Sequence, residues 1–431
     1  MYSKKVVIEM THIAKMIQDK LNGTTHTKDD FEKMVEMLRD KTYDEAQLAA
    51  WLMAVRCLGL SMEETADLTM AMVTKPAGDE LLTSVIDKHS TGGVGDSVTL
   101  LVVPIVAACG VPLIKLSGKM LGFTGGTIDK LLAIPGIDLE KKPADIKMQV
   151  EEVGAYIGMQ TDNLCFADKI MYELRDRTGS VASIPLICSS ILSKKLSTGA
   201  ERLVINLKYG NGAFIGSYEE ALVLKQYMLC VCEKNNVPAK IVIEETNQPI
   251  ANVIGTGLEI QNIYSILNNS ILNNEIEVCD REDHLIEVSL NISAEMVALA
   301  KDIPYEDAEA QCLNAWDSGA AKIVFEKMID AQGGHLNELM KKLPKYHCAV
   351  KATSNGRVDT INTTKIGQLT NDYAVSDANA IDPLFGLVIE KHLGDMVKEN
   401  DTLATVHYND GLNGERLKTL IDELQDCYKI K

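Results

Sequence analysis

Residues 84–109 read SVIDKHSTGGVGDSVTLLVVPIVAAC, and this stretch decides the class of fold. The short run Ser84–Asp87, with valine and isoleucine at its centre, predicts a strand, and the glycine-rich run Lys88–Gly95 predicts a loop. The apolar run Asp96–Cys109 predicts a helix after that loop. A strand, a glycine turn and a helix in this order are typical of a parallel βαβ unit. The stretch therefore predicts an α/β domain that begins near residue 80.

The same order of strand, loop and helix is repeated immediately afterwards. Its predicted elements are a strand at Val111–Leu116, a loop at Ser117–Gly126 and a helix at Thr127–Leu132. The strand pattern returns at Leu203–Leu207 and Lys240–Glu244. We therefore predict a central mixed or parallel sheet in a domain made of residues 80–158 and 199–340.

The two ends of the chain have sequence patterns that differ from that of the α/β domain. Helix starts, each an N-cap with an acid three residues later, recur at Thr27 with Asp30, Thr42 with Glu45, and Ser61 with Glu64. Together with residues 160–198, which lack glycine for much of their length, residues 1–75 predict a small all-helical domain. From about residue 345 short strands and an Asn355-Gly356 hairpin signal predict a β-rich C-terminal domain, residues 345–431. The predicted fold class is α/β, flanked by these two domains.

Composition and charge exclude several classes of protein. The 431 residues are 46% hydrophobic and 24% charged, which is ordinary for a folded globular chain. The net charge of −18 opposes attraction to nucleic acid or to an anionic membrane surface. The most apolar run, Leu100–Ala108, is far shorter than the roughly 20 residues of a membrane span. Without a secretory pattern in Met1–Met10, and with ten scattered cysteines, we predict a cytoplasmic protein with reduced thiols.

The sharpest local feature is the loop from Lys88 to Asp96. Its glycines let backbone amides converge, the following helix start adds positive potential, and Lys88, Ser90 and Thr91 supply further donors. The loop matches neither the Walker pattern nor the dinucleotide pattern, so a mononucleotide or free phosphate fits better than ATP or NAD. The alternative is a tight βα turn that needs glycine for its geometry alone.

A second loop, Lys115–Thr127, carries similar chemistry. If the two strands end side by side, Lys88, Lys115, Ser117 and Thr127 converge at the carboxyl edge of the sheet, where such sheets bind ligands. In a chain of net charge −18, recruiting an anion requires a local positive cluster of this kind. We therefore predict that the two loops share one anion.

The third feature lies in the predicted helical domain. Arg175 precedes Ser190 and Lys194, and the last two are four residues apart, so they share one face of a helix. Judged from spacing alone, the alternative for Arg175 and Lys194 is a solvated charged surface.

Taken together, these segments resemble the thymidine phosphorylase and pyrimidine-nucleoside phosphorylase family over nearly the whole chain. The similar segments are Lys88–Asp96, Ser117-Gly118, Thr124–Leu131, Arg175-Asp176 and Ser183–Lys195. The resemblance implies a homodimer that reversibly cleaves a pyrimidine nucleoside with inorganic phosphate. The products are the free base and a pentose 1-phosphate, and no organic cofactor is implied.

The resemblance also implies roles for particular residues. Those that match the family's phosphate site are Lys88, Ser90, Gly92, Thr99, Lys115, Ser117 and Thr127. Those that match its base site are Arg175, Ser190, Lys194 and Phe214, with His89 near the 2-oxygen of the base. The positions of Gly95 and Ser97 match a site for a monovalent cation such as K⁺.

The chemistry of cleavage agrees with cations beside the base. As the glycosidic bond stretches, negative charge develops on the departing base, and cationic donors there lower the barrier. Arg175 supplies a planar fork and Lys194 a compact charge. His89 acts either as the proton donor to the base or as a neutral hydrogen-bond partner. Both alternatives remain open from the sequence.

The chain departs from the family's pattern at a few positions. Lys119 stands in place of an arginine, Phe123 in place of a histidine and Asn206 in place of an aspartate. Asn262 stands where an acidic ligand of the cation is expected. The departures reflect either neutral drift or a changed substrate preference or activity.

Two other functions compete with phosphorolysis. One is an anthranilate-type phosphoribosyltransferase, which shares the architecture but expects a different glycine loop and acidic magnesium ligands. The other is a non-catalytic nucleoside-binding relative left by the changes at Lys119 and Phe123.

Overall fold

The computed structural model describes residues 11–74, 85–119, 125–160, 165–268, 283–375, 381–410, 412 and 414–431. The chain divides into two compact units. The first consists of the described residues within Met1–Leu81, Thr161–Ala200 and Leu222–Pro238, and the second of those within Leu82–Gln160, Glu201–Ala221 and Ala239–Lys431. These units differ from the predicted domains in two respects, because residues 222–238 belong to the helical unit and residues 345–431 belong to the α/β unit.

The chain begins with four successive helices, and helices and strands alternate in parts of the sequence that follows. The helices of the N-terminal half are α1 (His12–Leu21), α2 (Lys28–Arg39), α3 (Glu45–Leu58), α4 (Met62–Met72), α5 (Val98–Ala108), α6 (Thr127–Leu131), α7 (Pro143–Val153), α8 (Phe166–Thr178) and α9 (Ile184–Ser197). Those that follow are α10 (Tyr218–Lys234), α11 (Thr256–Leu267), α12 (Asp283–Lys301), α13 (Tyr305–Asp317), α14 (Ala320–Ala331), α15 (Leu336–Met340), α16 (Thr363–Ala374) and α17 (Gly414–Asp426).

The strands are short and belong to the second unit. They are β1 (Asp87–Ser90), β2 (Leu113–Ser117), β3 (Ala155–Met159), β4 (Leu203–Tyr209), β5 (Ala239–Glu245), β6 (Val253–Ile254), β7 (Tyr346–Lys351), β8 (Gly356–Ile361), β9 (Gly386–Ile389), β10 (Met396–Val397), β11 (Thr402–Tyr408) and β12 (Tyr428–Ile430). The predicted class is confirmed: a helical unit, parallel strands alternating with helices, and a β-rich C-terminal region.

Two of the three predicted helix starts in the first unit are confirmed. Thr27 and Ser61 each form a reciprocal capping box with the acid three residues later. The prediction for Thr42 was wrong, since α3 begins at Glu45 and its N-cap is Asp44, whose side chain accepts from the amide of Gln47. The core of this unit is built around the fully buried Trp51 and its apolar neighbours on α1 to α4, α8 and α9.

The parallel strands of the second unit place the glycine loop. β4 lies between β1 and β5 in a parallel sheet, and β2 pairs with β3 in another. The predicted boundary of the first strand was wrong: Lys88 and Ser90 belong to β1, because Asp87–Ser90 pairs in register with Leu203–Asn206. α5, which follows the loop, has every residue from Val98 to Val106 buried, as expected of a helix that is apolar all round.

The C-terminal region has a core of its own, lined by β8, β9, β11, α16 and α17 among other elements. The hairpin predicted at Asn355-Gly356 was wrong. β7 pairs with β11, whereas β8 pairs with β10 and β12, so the two strands that flank this turn belong to different sheets. A turn signal reports local backbone geometry but not the partner of each strand. Among the described residues, no helix is both long and apolar enough to cross a bilayer.

His407 gives the C-terminal sheet a pH-dependent stability. Its side chain is buried in β11, and burial, assisted by the charge of His347, lowers its pKa to about 4. The histidine of the unfolded chain has its ordinary pKa of 6.5 and therefore takes up a proton at a higher pH than the folded protein does. The contribution of His407 to the free energy of unfolding is therefore complete above pH 6.5 and is lost as the pH falls towards 4. Between pH 7.5 and 5 we expect wild type to lose about 2 kcal/mol more than His407→Leu, measured by urea unfolding. Equal losses in the two proteins would contradict the expectation.

Candidate active site

The loop from Lys88 to Asp96, predicted to bind an anion and called the anion loop below, overlaps the carboxyl end of β1 in the second unit. Gly92 and Gly95 both have positive φ, +87° and +70°, which favours glycine over other residues. A side chain at Gly95 would also press on the backbone of Ala251, at 3.1 Å from its nitrogen. Glycine is therefore required by conformation and by close approach. The same backbone directs the Gly92 amide at Ser90 Oγ, 3.2 Å away.

Lys88 is fully buried at the base of this loop. Its Nζ donates to Thr99 Oγ1 at 2.9 Å, so two residues predicted from the sequence to bind phosphate are in direct contact. Thr99 lies in the first turn of α5, which begins at Val98 after the loop. His89, next on β1, is partly exposed. A buried ammonium and a helix start at one loop form an arrangement that favours an anion.

Asp96 closes the loop and is embedded among lysines. Burial by itself would raise its pKa, but the charges of Lys208, Lys88 and Lys130, with a hydrogen bond from Ser90, hold the pKa well below its usual range. Lys208 Nζ lies 3.0 Å from Asp96 Oδ2 and 3.7 Å from Glu244 Oε2. The sequence reasoning missed Lys208, which follows the predicted strand Leu203–Leu207, and Glu244, which ends the predicted strand Lys240–Glu244, although charged residues are rarely fully buried.

A second buried ion pair lies beside Ser97. Glu259 Oε2 is 2.6 Å from Lys130 Nζ and accepts a hydrogen bond from Ser97 Oγ. That Asn262 stands in place of an acidic ligand stays a prediction, and the carboxylate that approaches Ser97 in the structure is that of Glu259, one helical turn earlier on α11. Hydroxyl and carboxylate oxygens are the kind of ligand that a monovalent cation takes, and in this structure the ammonium of Lys130 pairs with that carboxylate.

The strands that precede the two predicted loops, β1 and β2, lie next to each other but belong to different sheets. Lys115 on β2 is buried, and its Nζ donates to the carbonyl of Leu116 at 3.1 Å. Ser117 ends β2 and Thr127 begins α6, and both are half-buried. Lys119 is exposed. Phe123, the other departure in this loop, lies outside the described residues.

Phe214 lies on a turn after β4, with 42% of its surface exposed. Asn211 holds this turn: its Oδ1 accepts from the amide of Thr363 at 2.8 Å, and its Nδ2 donates to the carbonyl of Ile361 at 3.0 Å. The C-terminal region therefore anchors the segment that presents this aromatic ring.

The first unit gathers the residues predicted to hold a base. Ser190 and Lys194 lie on one face of α9, and Lys194 Nζ donates to Ser190 Oγ at 3.0 Å. Lys194 also pairs with Asp168 on α8. Two cations lie near the ring of Tyr172, with Arg175 Cζ at 5.6 Å and Lys194 Nζ at 5.8 Å from its centroid. The sequence reasoning missed Asp168.

Arg175 is buried, so the alternative of a solvated charged surface is wrong for this residue. Its Nη1 donates to the carbonyl of Leu186 at 3.2 Å and its Nη2 to that of Val181 at 2.6 Å. Burial lowers the pKa of Arg175, whereas the charge of Asp168 raises it. Within the described residues the Nε–H of Arg175 meets no acceptor. The first unit thus holds fixed cationic donors, which suit a group that carries or develops negative charge.

In a comparison with known proteins, segments from both units match domains of the same glycosyl transferase family. Residues 82–322 match the pattern described as "Glycosyl transferase family, a/b domain", and residues 14–75 match "Glycosyl transferase family, helical bundle domain". A pyrimidine-nucleoside phosphorylase of Staphylococcus haemolyticus is 36% identical over 430 residues, which cover 96% of this chain and 95% of the relative. A thymidine phosphorylase of Agrobacterium fabrum is 35% identical over 429 residues, with the same coverage of both chains.

Among solved structures, anthranilate phosphoribosyltransferase from Thermus thermophilus superposes with a TM-score of 0.56 at 16% identity. The match covers 74% of this chain and 99% of that one. At this identity the similarity shows a shared fold and carries no argument about the reaction.

Proposed function

The chain belongs to the glycosyl transferase family of pyrimidine-nucleoside and thymidine phosphorylases, and from this membership we propose its reaction and the residues that perform it. It is a pentosyltransferase that cleaves a pyrimidine nucleoside reversibly with inorganic phosphate. The products are the free base and a ribose or deoxyribose 1-phosphate. No organic cofactor takes part.

The observation that carries the base site is the cluster of Arg175, Ser190 and Lys194 in the first unit. A pyrimidine with two carbonyl groups presents acceptors, and all three side chains are donors. As the bond to the sugar stretches, charge builds on the base, and donors held in place by Asp168 and by backbone carbonyls stabilise it without reorganising. We assign base binding to these residues and to Phe214.

For phosphate we assign two buried lysines, four hydroxyl side chains and one glycine in or beside the two loops. They are Lys88, Ser90, Gly92, Thr99, Lys115, Ser117 and Thr127. Lys88 and Thr99 already touch, and the amide of Gly92 lies beside Ser90 in the same loop. A phosphate held here acts as the nucleophile towards the anomeric carbon. His89 lies next to Lys88 on β1, and we assign it a position beside the base, as a proton donor or neutral hydrogen-bond partner.

Several expectations complete this proposal. A monovalent cation would be held by Gly95 and Ser97, with Glu259 as its acidic ligand, and would help to fix the loop start. A homodimer, a cytoplasmic location and the absence of nucleic-acid and membrane partners follow from the family resemblance and the net charge of −18. They remain predictions.

The test is a substrate panel for the purified chain. With phosphate present we expect release of uracil or thymine from uridine, deoxyuridine or thymidine, and none when phosphate is omitted. The assay is repeated with K⁺ exchanged for tetramethylammonium, a much larger cation, and we expect slower turnover. Absence of turnover on all three nucleosides would remove the proposal. Nucleoside binding without turnover would point to a non-catalytic relative, and consumption of phosphoribosyl pyrophosphate to a phosphoribosyltransferase.

A further inference from the structure

Lys208 is a buried cation to which the proposed reaction gives no role. It lies on β4, its side chain is 0% exposed, and its Nζ donates to Ser90 Oγ and Asp96 Oδ2, each at 3.0 Å. It donates as well to Asn206 Oδ1. Its own amide donates to Thr91 Oγ1 at 2.8 Å. A single residue therefore contacts both the beginning and the end of the anion loop.

The hydroxyl of Ser90 has no hydrogen-bonding capacity left. It donates its only proton to Asp96 Oδ2 at 2.6 Å and accepts from Lys208 Nζ and from the amide of Gly92. A serine hydroxyl has one donor and two acceptor sites, so all three are used. Phosphate oxygens are acceptors. Ser90 can therefore bind phosphate only if it turns its proton away from Asp96.

When the Ser90 hydroxyl rotates towards phosphate, the carboxylate of Asp96 loses a hydrogen bond. An ionised carboxylate that loses a hydrogen bond in a buried site is costly. Lys208 remains at 3.0 Å from the same oxygen, and the amide of Val98 donates to the other at 3.3 Å. The lysine thus keeps Asp96 paired while Ser90 changes partners.

Glu244 fixes the lysine from the neighbouring strand. Its Oε2 lies 3.7 Å from Lys208 Nζ and accepts from Asn206 Nδ2 at 2.7 Å. Burial by itself would raise the pKa of Glu244, but the charge of Lys208 and hydrogen bonds from His284 and Asn206 hold it below its usual range. The ammonium is therefore held between two carboxylates, one from the loop and one from β5.

We propose that Lys208, fixed by Glu244 and Asn206, is a positioning residue of the anion loop that lets Ser90 transfer its hydrogen bond from Asp96 to phosphate. The inference rests on the proposed function, because it takes phosphate as the anion. It assigns Glu244 a role in phosphate affinity although this residue lies on a different strand from every residue of the loop. Removing the carboxylate of Glu244 weakens the hold on Lys208, and phosphate binding suffers while nucleoside binding does not.

The experiment compares three variants with wild type. Glu244→Gln removes the carboxylate, and Asn206→Asp/Glu244→Gln returns one to a position whose oxygen already contacts Lys208. Glu245→Gln, the next residue on β5 and exposed, is the matched control. For Glu244→Gln we expect the KM for phosphate to rise about tenfold, the size of a lost charged hydrogen bond, with the KM for nucleoside unchanged. The double variant recovers to within about twofold, and the control matches wild type.

A second measurement separates this inference from the reaction itself. Amide hydrogen exchange of Ser90–Gly95 is followed without substrate, and we expect faster exchange in Glu244→Gln, restored in the double variant. Unchanged exchange and an unchanged phosphate KM would overturn the inference even in an active enzyme. If wild type turns over no nucleoside, the proposed function fails, and the exchange rates alone decide whether Lys208 and Glu244 order the loop.

Discussion

Lys194→Ala is expected to lower kcat/KM for the nucleoside by at least about two orders of magnitude. We assign Lys194 as a charged donor to the departing base, and removing one such donor from a preorganised site costs several kcal/mol of transition-state stabilisation. Alanine is a good helix former, and the lysine is about one-third exposed on α9, so the helix itself is unaffected. Steady-state kinetics with wild type and variant measure the effect, and wild-type rates would disprove the assignment.

Asp168 makes a second variant necessary. This carboxylate is buried and pairs with Lys194, so the single substitution also leaves it without that partner. Asp168→Asn/Lys194→Ala removes the charge together with the lysine. We expect it to unfold at a higher temperature than Lys194→Ala but to remain as inactive. Recovery of activity in the double variant would show that the orphaned carboxylate, and not the missing donor, caused the loss. Lys169→Ala, an exposed lysine on the same helix as Asp168, serves as control.

Lys88→Met is expected to lower kcat/KM for phosphate by about two to three orders of magnitude. Methionine keeps most of the buried volume but removes the ammonium that contacts Thr99 and that we assign to phosphate. The loss should fall on the KM for phosphate, measured at saturating nucleoside, because the base site is untouched. Direct titration with inorganic phosphate provides a second readout.

The matched control for Lys88 is Lys240→Met. Lys240 lies on β5 of the same parallel sheet but is mostly exposed and pairs with Glu295. It should retain wild-type kinetics. A Lys88→Met protein that unfolds at the wild-type temperature yet binds phosphate normally would show that this lysine only neutralises Asp96 and does not bind the anion.

The local patterns of the sequence predicted much of the fold. The capping boxes at Thr27 and Ser61, the glycine turns and the helix face shared by Ser190 and Lys194 all depend on residues within four positions of one another. Such features follow from helix geometry and backbone sterics, which act over short segments. The errors at Thr42, at the start of β1 and at Asn355 concern boundaries and strand partners, which packing decides.

The family resemblance added what spacing alone left open. The spacing of Arg175, Ser190 and Lys194 was compatible with a solvated surface for Arg175, whereas the family resemblance implied a place beside a base. The structure shows that Arg175 is buried. Asn206 illustrates the opposite case. Asparagine at position 206 lacks the charge of the aspartate expected from the family. The structure places the carboxylate of Glu244 at 2.7 Å from Asn206 Nδ2, so Lys208 still lies near a second carboxylate besides Asp96.

The sequence by itself determined the class of fold, and it predicted the two glycine-rich loops and the polar side chains that we assign to phosphate and base. Only the tertiary structure decided which buried charges meet: Lys208 with Asp96 and Glu244, Lys130 with Glu259, and Lys194 with Asp168. Lys208 and Asp96 are 112 residues apart in the chain. Propensities act between near neighbours, whereas the partner of a buried charge is set by strand register and helix packing, because an ion inside a protein must be neutralised wherever the fold brings it.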